Sequence, residues 1–166
     1  HKTAEYYSLP RSDYLKGCPS MFQRILLATD GSPNSLRAAQ KAKDLALLIP
    51  NASITVIHVL PLTPELTIEL QKELESQEFT FEEALREKAR PVFKRTLNSL
   101  GEAGLNVLTR LETGHPAERI AEAANSGDYD LVVIGSRGLG DWQEILLGSV
   151  SEKVCHSVHI PVLIIK

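Results

Sequence analysis

The run SITVIHVL, from Ser53 to Leu60, constrains this chain more than any other stretch. It is β-branched and nearly continuous in apolar content, so as a strand it has no face to offer water. A strand buried on both sides belongs in a parallel sheet, whose crossover helices lie on the two faces. Further short runs read as strands from Arg24 to Thr29, Leu105 to Glu112, Leu131 to Ile134 and Val162 to Ile165.

Helices with recognisable ends stand between these runs. Ser32 is a good N-cap and Pro33 fits the first helical position, where its missing N–H costs nothing. That helix continues to about Leu48, with Leu36, Ala39, Ala42, the Lys43 stem and Ala46 at helical spacing, until Pro50-Asn51 breaks it. Leu66, Leu70 and Leu74 recur every fourth residue and suggest a short helix. Thr80 with Glu83 resembles a capping box for another, whose inner face carries Phe81, Leu85, Val92 and Leu100. Pro91 either kinks this second helix or marks its true start. Gly114-His115-Pro116 turns into a helix from about Ala117 to Ser126, and a last helix runs from about Ser149 to Val158.

This alternation calls for an open five-stranded parallel α/β sheet with helices on both faces. Right-handed crossovers carry the chain outward from the first strand, then back past it to the fourth, which gives the order 3-2-1-4-5. Ligands of such sheets bind beyond the carboxyl ends of the strands where neighbouring loops diverge, here after strands one and four. Those loops hold Thr29-Asp30-Gly31-Ser32 and the segment Gly135 to Gly140. Gly135, Gly138 and Gly148 let backbone amides approach a phosphate, and Ser149 opens a helix whose first turn favours an anion. Ser149 either caps that helix, with Glu152 completing a capping box, or donates its hydroxyl to a phosphate, and Ser151 joins it. Arg137 lies within the loop, where it can pair with phosphate oxygens. The loop is not a Walker motif, since no Gly-Lys-Ser/Thr occurs, and its G-x-x-G-x-G spacing is not the dinucleotide fingerprint.

Composition narrows the alternatives. A chain of 166 residues suits one well-buried domain, and a net charge of −3 argues against a nucleic-acid surface. No apolar run is long enough to cross a bilayer. The cysteines, Cys18 and Cys155, make no disulfide framework, which favours the cytoplasm. Residues 1–20 hold three of the four tyrosines, lack periodicity and end just before Met21; they read as a leader or added tail, with the domain spanning 21–166.

The spacing from Gly135 through Gly138 to Gly148-Ser149, after a V-I-G-S strand end, resembles the ATP-binding branch of the universal stress protein family. The likeness extends through ILLATDGS, ITVIHVL, the T-G-H-P turn and the terminal I-P-V-L-I-I. The resemblance implies a Rossmann-like sheet, bound ATP, AMP or ADP with Mg²⁺, homodimers and a regulatory, stress-linked role in the cytoplasm. It implies that Asp30, beside Ala28 and Thr29, meets the ribose or base or contacts magnesium indirectly. It implies that the backbone of Val59 meets the adenine, and that Gly135, Arg137, Gly138, Gly148, Ser149, Val150 and Ser151 hold the phosphates. His58, next to Val59, is read as structural. The final apolar strand, predicted at a sheet edge, invites pairing with a second copy, so the expected dimer is built there.

Two functional classes stay open at this point. One is a nucleotide-binding regulatory protein with at most slow hydrolysis, because no residue set resembles an activated water. The other is an enzyme that splits ATP at the α-phosphate, as ATP pyrophosphatases and nucleotidyltransferases do. Their S-G-G-x-D-S loop is only faintly echoed by ATDGSPNS. A scaffold with the fold and no nucleotide is the third and weakest reading.

Overall fold

A computed structural model describes residues 21–75, 80–102, 104–136 and 147–166. The elements in chain order are β1 (Arg24–Ala28), α1 (Pro33–Leu48), β2 (Ser53–Leu60), α2 (Pro64–Glu75), α3 (Phe81–Leu100), β3 (Asn106–Thr113), α4 (Pro116–Ala124), β4 (Leu131–Gly135), α5 (Ser149–Ser157) and β5 (Val162–Ile165). The strands form a five-stranded sheet in the order β3-β2-β1-β4-β5, and every neighbouring pair is parallel. This is the architecture and the strand order expected from the sequence.

The period-two alternation of the central strands divides the core into two layers. Ile25 and Leu27 of β1, with Ile54, Val56, Leu131 and Val133, pack under α1 through Ala38, Ala39, Ala42 and Ala46, joined by Leu100 of α3. Leu26, Ala28, Ile57, Val59, Val132 and Ile134 face the other way, onto α4 and onto Val154 of α5. The inner face of α1 is almost entirely alanine, which lets the helix lie close to the sheet. A third cluster, at the carboxyl end of β2, joins Leu60 to Leu70 of α2 and to Ala84, Leu85 and Ala89 of α3.

α1 begins as expected, with the Ser32 hydroxyl accepting from the Ser35 amide and Pro33 in the first turn. The capping box of α3 is formed: Thr80 accepts from the Glu83 amide and the Glu83 carboxylate accepts from the Thr80 amide. α3 continues through Pro91 as one helix, so this proline does not mark its start. Its buried face differs from the expectation at one end, because Phe81 is 50% exposed while Ala84, Ala89 and Thr96 are buried. No helix among the described residues is long and apolar enough to cross a membrane.

Candidate functional site

Sheet order creates the site. β1 pairs with β2 only as far as Ala28 opposite Ile57, while β2 runs on to Leu60. On its other side β1 borders β4, after which the chain leaves for α5. Loops that part at this switch point leave a cleft of about 650 Å³ across the carboxyl ends of the strands.

One end of the cleft suits an anion. Gly148 is the N-cap of α5, in an extended conformation and with no side-chain cap. The first intrahelical bond joins the Glu152 amide to the Gly148 carbonyl at 2.9 Å, so the amides of Ser149, Val150 and Ser151 precede the ladder. Ser149 is therefore the first helical residue rather than the cap, and the capping box with Glu152, one of the two roles read for Ser149 from the sequence, does not form. Two bonds hold this turn against the end of β4. The Gly148 amide donates to the Ser136 carbonyl at 2.7 Å, and the Ser151 hydroxyl reaches the same carbonyl at 2.9 Å. That hydroxyl also lies 2.9 Å from the Gly148 carbonyl. Its proton is thus committed to the loop, leaving the Ser151 amide as the group available to an anion.

The opposite end is apolar, lined by Ile57, Val59, Leu60 and Pro61 of β2 and its exit, with Pro116 and Ile120 of α4 and Val92 of α3. It also offers a backbone edge. In a parallel pair alternate residues turn both amide and carbonyl toward the same neighbour. Ser53 donates to the Gln23 carbonyl at 2.7 Å and Ile57 accepts from the Thr29 amide at 3.0 Å, so the odd-numbered residues of β2 face β1. Val59 is next in that series, and the pairing with β1 has already stopped. Its amide and carbonyl therefore present a donor and an acceptor to the cleft.

Between the two ends lies the turn after β1. The Asp30 carboxylate accepts the Ser32 amide at 3.0 Å through Oδ1, while Oδ2 has no described partner. A buried set of hydroxyls fixes the turn: Thr29 Oγ1 is 2.8 Å from Thr96 Oγ1 and 3.2 Å from Ser35 Oγ, and it accepts the Gly31 amide. His58 Nδ1 lies 2.8 Å from the Thr29 carbonyl. A carbonyl can only accept, so Nδ1 carries the proton and the neutral ring has its lone pair on Nε2. Burial pushes the His58 pKa down, opposed by the Thr29 bond and by the nearby Asp30 charge.

α3 supplies a wall that the sequence did not reveal. Lys88 lines the cleft but is held by Glu73 at 2.8 Å and Glu69 at 3.1 Å, both on α2. Arg95 lies over the turn. A Cβ on Gly31 would meet its guanidinium at 2.7 Å, and the φ of +74° at Gly31 is also one that glycine tolerates best. The periodicity of α3 is diluted by charge and by Pro91, and the Thr80 cap and the spaced apolar residues signalled the helix without assigning any of it to the site.

Of the residues selected from the sequence, Ala28, Thr29, Asp30, Val59, Gly135, Gly148, Ser149, Val150 and Ser151 all line this cleft. Arg137 and Gly138, with the rest of 137–146, lie outside the described residues. Gly135 has a structural reason to lack a side chain, since its Cβ would meet the backbone of Asn34 and Ser35 in the first turn of α1. No group of three or more His, Cys, Asp or Glu side chains among the described residues is arranged to hold a metal ion.

Comparison with known proteins fits this geometry. The chain is similar to universal stress protein MJ0531 of Methanocaldococcus jannaschii, 31% identical over 162 residues that cover 98% of this chain and 91% of the relative. Its fold is similar to the solved structure of MJ0577 from the same organism. That comparison gives a TM-score of 0.71 at 29% identity, covering 88% of this chain and 96% of that one. Two more distant structures share the fold. A universal stress protein in complex with cAMP gives a TM-score of 0.65 at 24% identity, covering 89% of this chain and 99% of that one. The universal stress protein of Archaeoglobus fulgidus in complex with dAMP gives 0.60 at 22% identity, covering 88% and 99%. A sequence model of the universal stress protein family matches residues 21–166, and the chain belongs to that family.

Proposed function

We propose that the cleft binds an adenine nucleotide, ATP or its AMP and ADP relatives, and that the protein is regulatory rather than catalytic. The observation that carries this reading is the placement of two complementary ends across one turn. The open Val59 edge lies among apolar side chains at the end of β2, and the uncapped first turn of α5 lies at the end of β4. A purine needs an apolar slot with a donor and an acceptor on its rim, and a phosphate needs unpaired amides at a helix start. Asp30, between them, suits a ribose hydroxyl. The cAMP and dAMP bound by two proteins of this fold share that base-to-phosphate layout, which supports the assignment.

Magnesium that accompanies a polyphosphate takes most of its ligands from phosphate and water. Asp30 is the single carboxylate among the described cleft residues and suits an outer, water-mediated contact. Hydrolysis is slow in this reading, because the described cleft offers no carboxylate pair.

The protein acts as a homodimer through β5, the edge strand next to β4. The other edge strand, β3, carries an Arg110–Glu112 ion pair that discourages pairing, whereas β5 is VLII without a charge. A protein that answers to adenine nucleotides belongs in the cytoplasm, where they are held. Calorimetric titration of ATP into wild type and Gly148→Val tests the site. Saturable binding by wild type, lost in a variant with unchanged circular dichroism, is expected; equal affinity would refute the cradle.

A further inference from the structure

The β1–β2 ladder stops at Ala28 and Ile57 although β2 continues to Leu60. After the Thr29 amide has donated to the Ile57 carbonyl, the next bond in a parallel ladder runs from the Val59 amide to the Thr29 carbonyl. That bond is absent, and the last paired residues are Ala28 and Ile57. The Thr29 carbonyl is engaged instead by the His58 ring at 2.8 Å. The ring is locked there, 7% exposed and edge-on to Phe93 with ring centroids 5.9 Å apart.

We propose that His58 is a positioning residue for the nucleotide base. By giving its Nδ1 proton to the Thr29 carbonyl, it takes the acceptor that the Val59 amide would otherwise use. The sheet is thereby held open at the point where Val59 faces the cleft. The role rests on the nucleotide assignment above, but its first half, that His58 keeps the ladder from closing, stands independently. Three features of the site fit it. Burial lowers the His58 pKa and so favours the neutral ring, whose Nδ1 proton is the one that faces the Thr29 carbonyl. The residue that offers the carbonyl is also held through its side chain, by the buried 2.8 Å contact between the Thr29 and Thr96 hydroxyls. Ile57, Val59, Pro116 and Ile120 form an apolar slot around the freed edge, as a base would require.

The substitution His58→Leu keeps the site apolar and removes the donor, while His58→Asn retains an N–H close to the position of Nδ1. Amide hydrogen exchange of Val59 in the nucleotide-free protein reads the ladder directly. In wild type and His58→Asn the amide is expected to exchange freely, and in His58→Leu it is expected to slow about tenfold or more as the missing bond forms. ATP affinity is expected to fall about tenfold in His58→Leu, to recover in His58→Asn, and to be accompanied by unchanged affinity for inorganic tripolyphosphate. Equal Val59 exchange in all three proteins would overturn the proposal. So would slowed exchange with full ATP affinity, which would separate the edge from the base. If wild type bound no nucleotide while His58→Leu still slowed Val59, the nucleotide assignment would fail and the hold of His58 on the ladder would stand.

Discussion

Gly135 and Asn34 are in backbone contact: a Cβ on the glycine would stand 2.8 Å from the carbonyl carbon of the asparagine. This contact seats the first turn of α1 on the end of β4 and so fixes where the Asp30 turn enters the cleft. Both partners at the contact are backbone and cannot rotate away. Gly135→Ala is expected to destabilise the fold by about 1–3 kcal/mol, seen as a lower denaturant midpoint with an unchanged slope. An unchanged midpoint would mean that α1 shifts freely over β4.

Thr96 is fully buried, and its hydroxyl serves both the Thr29 hydroxyl at 2.8 Å and the Val92 carbonyl at 3.0 Å. Valine has nearly the same shape and no hydroxyl. Thr96→Val leaves the Thr29 hydroxyl short of a buried partner and is expected to cost about 1–3 kcal/mol. Chemical denaturation measures the loss, and ATP affinity should fall with it as α3 loosens its hold on the β1 turn.

Acid should weaken the link between the entries of β1 and β4. Arg24 binds the Asp130 carboxylate at 2.7 Å and also donates its backbone amide to it at 2.9 Å. The Arg24 side-chain bond, aided by that amide and by the Arg24 charge, holds the Asp130 carboxyl below the usual range. A carboxyl whose folded pKa is depressed adds stability above its unfolded pKa of about 4, and that stability disappears as pH falls through the folded value. Asp130→Asn should therefore lose less melting temperature than wild type on acidification below about pH 4. Parallel acid slopes in the two proteins would show that the pair contributes nothing.

The β5 edge is tested by charge. Ile164→Glu places a carboxylate on a strand that otherwise offers apolar side chains and an open backbone edge, half-buried already within one copy. Light scattering is expected to give a dimer for wild type and a monomer for the variant. A variant dimer would place the contact elsewhere.

Much of the fold was legible because the strands are the most strongly patterned segments. Ser53–Leu60 and Val162–Ile165 are found with the limits read from the sequence, and the switch point follows from their order. The α2–α3 segment was harder to read for a physical reason. α3 buries Ala84, Ala89 and Thr96 beside Leu85 and Leu100, so small and polar residues dilute the hydrophobic signal of its buried stripe. Phe81, the most apolar residue at its start, points to water. Lys88 and Arg95 were missed with it, and Val92 was read as an inner-face residue of the helix rather than as part of the cleft. His58 was seen as structural because its ring bond to Thr29 depends on where β1 ends, which no local pattern records.

The most direct measurement is an amide chemical-shift titration of isotope-labelled protein with ATP. Saturable shifts are expected at Thr29 to Gly31, at Val59 and at Gly148 to Ser151, three places far apart in sequence moving with one affinity. Shifts confined to other surfaces, or none that saturate, would contradict an adenine nucleotide site across the ends of these strands.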